Sequence, residues 1–212
     1  MHKPVAKFKR LKIITQFQQQ LQGDLVDVSS LAEHNSGTKY LLTVIDAFSR
    51  KAFVEPVLNK SAKSVAIAFE SILKRVGFQP MYFYSDQGSE FVNAVFKKVL
   101  KKHNIVSFTS LDKDIKASIV ERFNRTLMMR IHRYLTKQNS YSYVDALPDL
   151  IRNYNNTVHS ATGYAPVKID HRNKEKVWLR LYHKCEHKKR DLPYKKTKLK
   201  KRICSGGYGL DT

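Results

Sequence analysis

The sequence predicts an α/β domain, a mixed five-stranded sheet flanked by helices, followed by a basic C-terminal tail. Three observations carry this. Strand-like and helix-like segments follow one another as β-β-β-α-β-α-β-α, and a meander feeding alternating units gives a sheet with both antiparallel and parallel neighbours and helices on both faces. Hydrophobic residues make up 42% of the 212 positions, enough for a sizeable core. Apolar periodicity gives way to charge near Asp170, so the chain divides into an arm over 1–20, a core over 21–170 and a tail over 171–212.

The arm is basic and then glutamine-rich, and reads as an extended leader suited to lying on a polyanion. Leu25–Leu31 and Lys39–Phe48 follow as two strands of a hairpin, with His34-Asn35-Ser36-Gly37 as the turn. Ala52–Val57 is a third strand. Ser61 caps a helix to about Val76, with Val65, Phe69, Ile72, Leu73 and Val76 on one face and Gly77 as its stop. The aromatic run to Tyr84 is a buried strand that ends at Asp86, and Gly88 permits a tight turn after it. Asn93 caps a helix over about 94–103, and 105–109 is the fifth strand. Residues 110–116 carry two Asp and two Lys and read as mobile. A long helix over about 117–136 buries Val120, Phe123, Leu127, Ile131 and Tyr134, while Glu121, Arg125, Met128 and His132 form a different stripe. A helix across 143–154 is expected with Pro148 inside it, then a polar turn over 154–160 and a basic helix around 177–182.

Two carboxylates occupy positions where chemistry is expected. Asp86 ends a central strand beside a glycine turn, where open α/β sheets place ligands. Glu121 lies in the first turns of the long helix. A third carboxylate comes from the first hairpin, where Asp24 and Asp27 compete. A turn centred on Asn35-Ser36 pairs Asp27 with Thr43 or Val44 in mid-sheet and leaves Asp24 near the strand ends, so Asp27 is preferred. Three converging carboxylates suit hard divalent cations, and two such ions activate a nucleophile and stabilise the leaving oxygen of a phosphodiester. Asp46 and Glu90 each read as a turn former or a surface charge, Met128 and Met129 as packing, and His132 and His159 as structural histidines.

A net charge of +21 points to a polyanionic partner, nucleic acid before membrane. The excess is uneven, because residues 171–202 hold 14 Lys or Arg against 3 Asp or Glu. Arg122, Asn124 and Arg125 flank the acidic centre at helical spacing, and Lys116 precedes them, placing all four for DNA phosphate contacts. Lys195, Lys196, Lys200 and Lys201 in the tail add sequence-independent contacts, and the same lysines read as a nuclear-localisation signal. Cys185 and Cys204 form no metal-ligand spacing or disulfide framework. No apolar run reaches membrane-spanning length and no signal-peptide core is present, so an intracellular, nuclear protein without a membrane partner is expected.

Five ordered blocks resemble a known family. They are Asp27–Ser30, the strand Gly37–Arg50, Ser85-Asp86-Gln87-Gly88-Ser89-Glu90-Phe91, Val120–Thr126 and Tyr154-Asn155-Asn156-Thr157-Val158-His159-Ser160. With 34 residues between Asp86 and Glu121, they are similar to the catalytic core of retroviral-type integrases, DDE transferases of RNase H-like fold. Gly23-Asp24-Leu25-Val26-Asp27 and the leader His2-Lys3-Pro4 resemble integrases of Maverick/Polinton-type DNA transposons in particular. The resemblance implies a metal-binding triad of Asp27, Asp86 and Glu121, with Mg²⁺ or Mn²⁺ as two ions. It also implies trimming of element DNA ends, attack of the new 3′-hydroxyl on target DNA without a covalent protein intermediate, and self-association into multimers. Three features depart from the pattern. Leu21 stands where tryptophan is usual, no His-His-Cys-Cys module precedes the core, and the chain ends soon after the basic stretch, as an incomplete copy would. A nuclease that cleaves without joining, or a non-catalytic nucleic-acid-binding relic, is the rival expectation.

Overall fold

The computed structural model describes residues 14–86, 88–109 and 118–186. Lys116, Lys195, Lys196, Lys200 and Lys201, the acidic and basic linker after Thr109, and the start of the N-terminal arm lie outside them. Five strands, β1 (Gln20–Asp27), β2 (Tyr40–Asp46), β3 (Ala52–Val57), β4 (Tyr82–Ser85) and β5 (Val106–Thr109), form one sheet in the order β3-β2-β1-β4-β5. The first three are antiparallel neighbours, β4 pairs with β1 in parallel, and β5 pairs with β4 in parallel. The helices are α1 (Ala62–Val76), α2 (Ser89–Val92), α3 (Ala94–Lys102), α4 (Ser118–Gln138), α5 (Leu147–Asn156) and α6 (Lys174–Glu186).

Strand alternation sorts the central strand between two cores. Leu21 and Leu25 of β1 face a cluster with α1 and α3, where the rings of Phe69, Phe83, Phe91 and Phe96 meet in tilted and T-shaped pairs. Gly23 lies on that face because there is no room for more, since a Cβ there would stand 2.5 Å from the Phe83 ring. Val26 and Val28 face the opposite cluster, made with Val120, Phe123, Leu127 and Ile131 of α4 and Tyr154 of α5. The even-numbered residues of β1 therefore look toward α4.

Local signals set the helices as the sequence indicates. Ser61 accepts the Ser64 amide at 3.2 Å to open α1, and Gly77, at φ +80°, closes it. Asn93 accepts the Phe96 amide at 2.8 Å and opens α3. Two elements differ from expectation. Pro148 lies in the first turn of α5 instead of interrupting a longer helix, because its missing N–H costs nothing there. In α4 the stripe ends on Leu135, with Tyr134 only half-buried, and Met129 is exposed one residue beyond the packed Met128.

The larger difference is the hairpin register. Residues Ser29–His34 form a 3₁₀ helix and not the end of a strand. Asn35 stabilises that loop as a buried four-bond hub. Its amide donates to Leu31 O (2.7 Å) and Tyr141 O (2.8 Å), and its oxygen accepts from the amides of Tyr143 (2.7 Å) and Val144 (3.1 Å). With those residues removed from the ladder, β1 starts at Gln20, and Asp24 pairs with Thr43 while Asp27 pairs with Tyr40. The expected pairing of Asp27 with Thr43 or Val44 is thereby corrected by about three residues.

The end of the arm is part of the core. The Thr15 amide donates to the Tyr182 hydroxyl at 3.2 Å, and Phe17 meets Phe48 and His171 edge-on. Phe48 also clusters with Ile169, Val177 and Tyr182, so α6 packs on the sheet end.

Candidate active site

The site is built where β1 and β4 lie side by side. Gln22 pairs with Tyr84 in parallel register, so two residues further along each strand direction bring Asp24 and Asp86 together, both on the α4 side by alternation. α4 is anchored to the same strand by two contacts. The Val120 amide donates to Gln22 Oε1 at 3.3 Å, and one turn later Asn124 Nδ2 donates to Asp24 Oδ2 at 2.7 Å. Glu121 lies between those anchors in the first turn of α4.

The electrostatics follow from this arrangement. Burial raises the Asp24 carboxyl above the usual carboxylate range. The Leu25 amide, donating to Oδ1 at 2.8 Å, opposes that rise, and the neighbouring charges of Asp86, Glu121 and Glu90 add to it. Asp24 is thus the point where the acidic groups converge. Asp27 has different surroundings. It is exposed, accepts the Ser29 hydroxyl (2.6 Å) and amide (2.9 Å) at the start of the 3₁₀ helix, and is held below its ordinary value by those bonds. An odd separation of three residues puts it on the other face of β1, towards Lys60.

Asp86 is exposed and accepts the Gly88 amide at 3.1 Å. Glu90, expected as a turn former or a surface charge, is only 6% exposed, with Lys60 at 3.5 Å. Its carboxylate lies directly against Gly88, where a Cβ would stand 2.7 Å from it. Asp46, expected as a turn former or a surface charge, is a turn former, accepting the Phe48 and Ser49 amides and the Ser49 hydroxyl inside the β2–β3 turn. Arg122 and Arg125 are exposed on α4, whereas Asn124 spends its amide on Asp24.

Among the described residues no three His, Cys, Asp or Glu groups stand close enough to hold a metal ion as placed. The donor chemistry nevertheless suits a hard cation, because carboxylates gathered around Asp24 repel one another unless a cation sits among them. Asn124 Oδ1 beside them is buried without a hydrogen-bond partner, an acceptor left for a water. No helix among the described residues is long and apolar enough to cross a membrane.

Sequence reasoning missed the clamp made by Asn155. Its side chain accepts the Ala52 amide and donates to the Ala52 carbonyl, both at 2.8 Å, joining α5 to the edge strand β3. An asparagine inside a polar run is the available signal, but its partner lies 103 positions away.

Residues 15–110 match the family described as Integrase core domain. That segment contains Asp24 and Asp86 and ends before α4. The chain is 38% identical over 143 residues to an uncharacterized transposon-derived protein of Caenorhabditis elegans, covering 68% of this chain and 50% of that one. It is 30% identical over 147 residues to the retrovirus-related Pol polyprotein from transposon 412 of Drosophila melanogaster, covering 67% of this chain and 12% of that one. The chain therefore spans half or less of these relatives. Among solved structures, the dimeric form of the HTLV-2 integrase catalytic core domain in complex with magnesium superposes with TM-score 0.61 at 19% identity, covering 74% of this chain and 99% of that one. A simian T-cell lymphotropic virus intasome in complex with the PP2A regulatory subunit B56 gamma gives TM-score 0.69 at 16% identity, covering 80% and 60%. The mixed sheet with flanking helices is the RNase H-like fold of integrase cores.

Proposed function

We propose that the chain is a metal-dependent DNA strand transferase and endonuclease acting in DNA integration, with Asp24, Asp86 and Glu121 as its carboxylate triad. One observation carries the reading: Asn124, three residues after Glu121, donates to Asp24 Oδ2 at 2.7 Å and so brings the helix turn that bears Glu121 to Asp24, whereas Asp27 is bonded to Ser29. In this assignment Asp24 takes the place expected of Asp27 from the hairpin register. Gly23-Asp24-Leu25-Val26-Asp27 supports the finer placement among Maverick/Polinton-type integrases.

The triad would hold Mg²⁺ or Mn²⁺, as two ions, which supply nucleophile activation and leaving-oxygen stabilisation when bound. The residues of the chain position the reaction. Asn124 orients the Asp24 carboxylate, the Gly88 amide fixes Asp86, and the first turn of α4 presents Glu121. In the first step water attacks a phosphodiester near the element end, the bond from phosphorus to the 3′ oxygen breaks, and a 3′-hydroxyl is released. That hydroxyl then attacks a target phosphodiester and displaces a target 3′-oxygen. DNA phosphates are held by Arg122, Arg125 and the tail lysines, and two DNA ends are brought together by self-association.

The test is cleavage and joining of a labelled duplex in Mg²⁺ or Mn²⁺ by wild type, Asp24→Asn, Asp27→Asn and Glu121→Gln. Products lost in Asp24→Asn and Glu121→Gln but kept in Asp27→Asn are expected. Products lost instead in Asp27→Asn overturn the triad, and cleavage without joining leaves a nuclease.

A further inference from the structure

At the end of the sheet where β1 begins, the last residues of the arm and the start of α6 line an aromatic cleft of about 300 Å³. Phe17 meets Phe48 at 5.8 Å and His171 at 5.2 Å, both in T-shaped pairs, and Trp178 lines the same space. Phe48 is buried and tied to β1, since the neighbouring Ala47 amide donates to Gln20 O at 2.9 Å. Phe17 and Trp178 are only half-buried and pack on the cluster of Phe48 and Val177. Trp178 meets Tyr182 at 5.5 Å, tilted by 60°. These contacts are edge-on or tilted, so no parallel stack among them uses up the ring faces.

The rim of the cleft is polar. The Gln16 backbone is engaged, donating to Gln19 Oε1 at 2.9 Å and accepting the Thr15 hydroxyl at 3.3 Å, while its side-chain amide bonds to no described residue. Lys174 and Glu175 stand side by side at the start of α6, and neither forms a salt bridge among the described residues. A concave aromatic surface with a few convergent polar groups is the usual make-up of a small-ligand pocket, and a volume at the lower end of the range, roughly 300 Å³, admits one ring system and not a duplex. A flat heterocycle attached to an anion uses every part of this wall. The rings stack it, Gln16 and Glu175 meet donors and acceptors on its edge, and Lys174 meets the phosphate.

We infer that the cleft of Phe17, Phe48, His171 and Trp178 binds one unpaired nucleobase of a DNA strand, with Lys174 on its phosphate. This rests on the proposed DNA reading and goes beyond it, because Arg122, Arg125 and the tail lysines meet phosphates alone. Cutting one strand near an element end leaves the nucleotides opposite without partners, and a base already unpaired costs least to seat in a pocket. Stacking on aromatic rings accepts any base, so the cleft holds such a strand without choosing its sequence.

Trp178 is the one tryptophan of the chain, so its emission reports on the cleft. In metal-free buffer, a short mixed-sequence single strand titrated into the full chain should quench that emission and saturate. The same strand built of abasic units should bind through its phosphates without quenching, about tenfold more weakly by anisotropy of an end label. Phe17→Leu, which keeps an apolar side chain but removes the ring, should bring the base-bearing strand down to the abasic affinity. Equal affinities for the two strands in wild type, or emission unmoved by a strand that binds, overturn the cleft whether or not the chain joins DNA, and this comparison needs no variant. A base-bearing strand that does not bind at all overturns the cleft and the DNA reading together. Quenching by the base-bearing strand alone, in a chain without metal-dependent products, leaves the cleft standing and removes the strand-transfer reading.

Discussion

Asn124 Nδ2 donates to Asp24 Oδ2 across 2.7 Å, a contact that locks the first turn of α4 to the centre of the sheet. It joins residues 100 positions apart and fixes the carboxylate on which the neighbouring acidic charges act. Partners of this kind orient a metal ligand without touching the ion. Asn124→Ala should lower kcat for metal-dependent cleavage by about 10–100-fold with little change in KM for duplex DNA. A loss confined to KM would place Asn124 on the DNA instead.

The raised Asp24 carboxyl has a stability signature of definite sign. Its folded-state value lies above the unfolded one, so folding favours the protonated form. The resulting penalty is absent below the unfolded value, grows as pH rises through the folded value and is complete above it. Asp24→Asn should therefore raise Tm at pH 7 and lose that advantage at acidic pH. Asp27, depressed by Ser29, contributes stability above its unfolded value that fades as pH falls through the folded one. Asp27→Asn should give no such rise. Differential scanning calorimetry from pH 3 to 7 separates the two.

Metal should also stabilise the fold through the same carboxylates. Mg²⁺ or Mn²⁺ at about 100 times its Kd adds about 2.7 kcal/mol. The shift in Tm should be present in wild type and absent in Asp24→Asn.

Gly88 has an ordinary φ of −56°, so its role is steric. A Cβ there meets the buried Glu90 carboxylate at 2.7 Å. Gly88→Ala should cost about 1–3 kcal/mol and displace the turn that carries Asp86. Adding Glu90→Ala should restore part of the loss, read as a coupling energy from urea unfolding of the two single variants and the double variant.

Removing the Asn155 clamp leaves the Ala52 amide and carbonyl without their partner. Asn155→Ala should destabilise by about 2–4 kcal/mol in urea unfolding, with exchange at β3 rising before exchange at β1.

Much of this architecture is legible in the sequence because its signals are local. Ser61, Gly77 and Asn93 act on neighbours within one turn, and the apolar stripe of α4 repeats at helical spacing. Asp86 and Glu121 are legible for the same reason, one following an aromatic strand and the other opening a helix. The choice between Asp24 and Asp27 depends on a 3₁₀ helix held by Asn35, whose partners include Tyr141 and Tyr143. No window of residues around 24–35 contains that information.

Gly23 sets which part of the site is stationary. With the Phe83 ring pressed against its Cα, the strand beneath Asp24 has no slack on the aromatic side. Its amides should be among the last in the chain to take up deuterium. Asp86 sits on an exposed turn and Glu121 at the first turn of a helix. In the proposed triad, drawing the three carboxylates together would take movement of the turn and the helix end, with Asp24 as the fixed anvil they close upon.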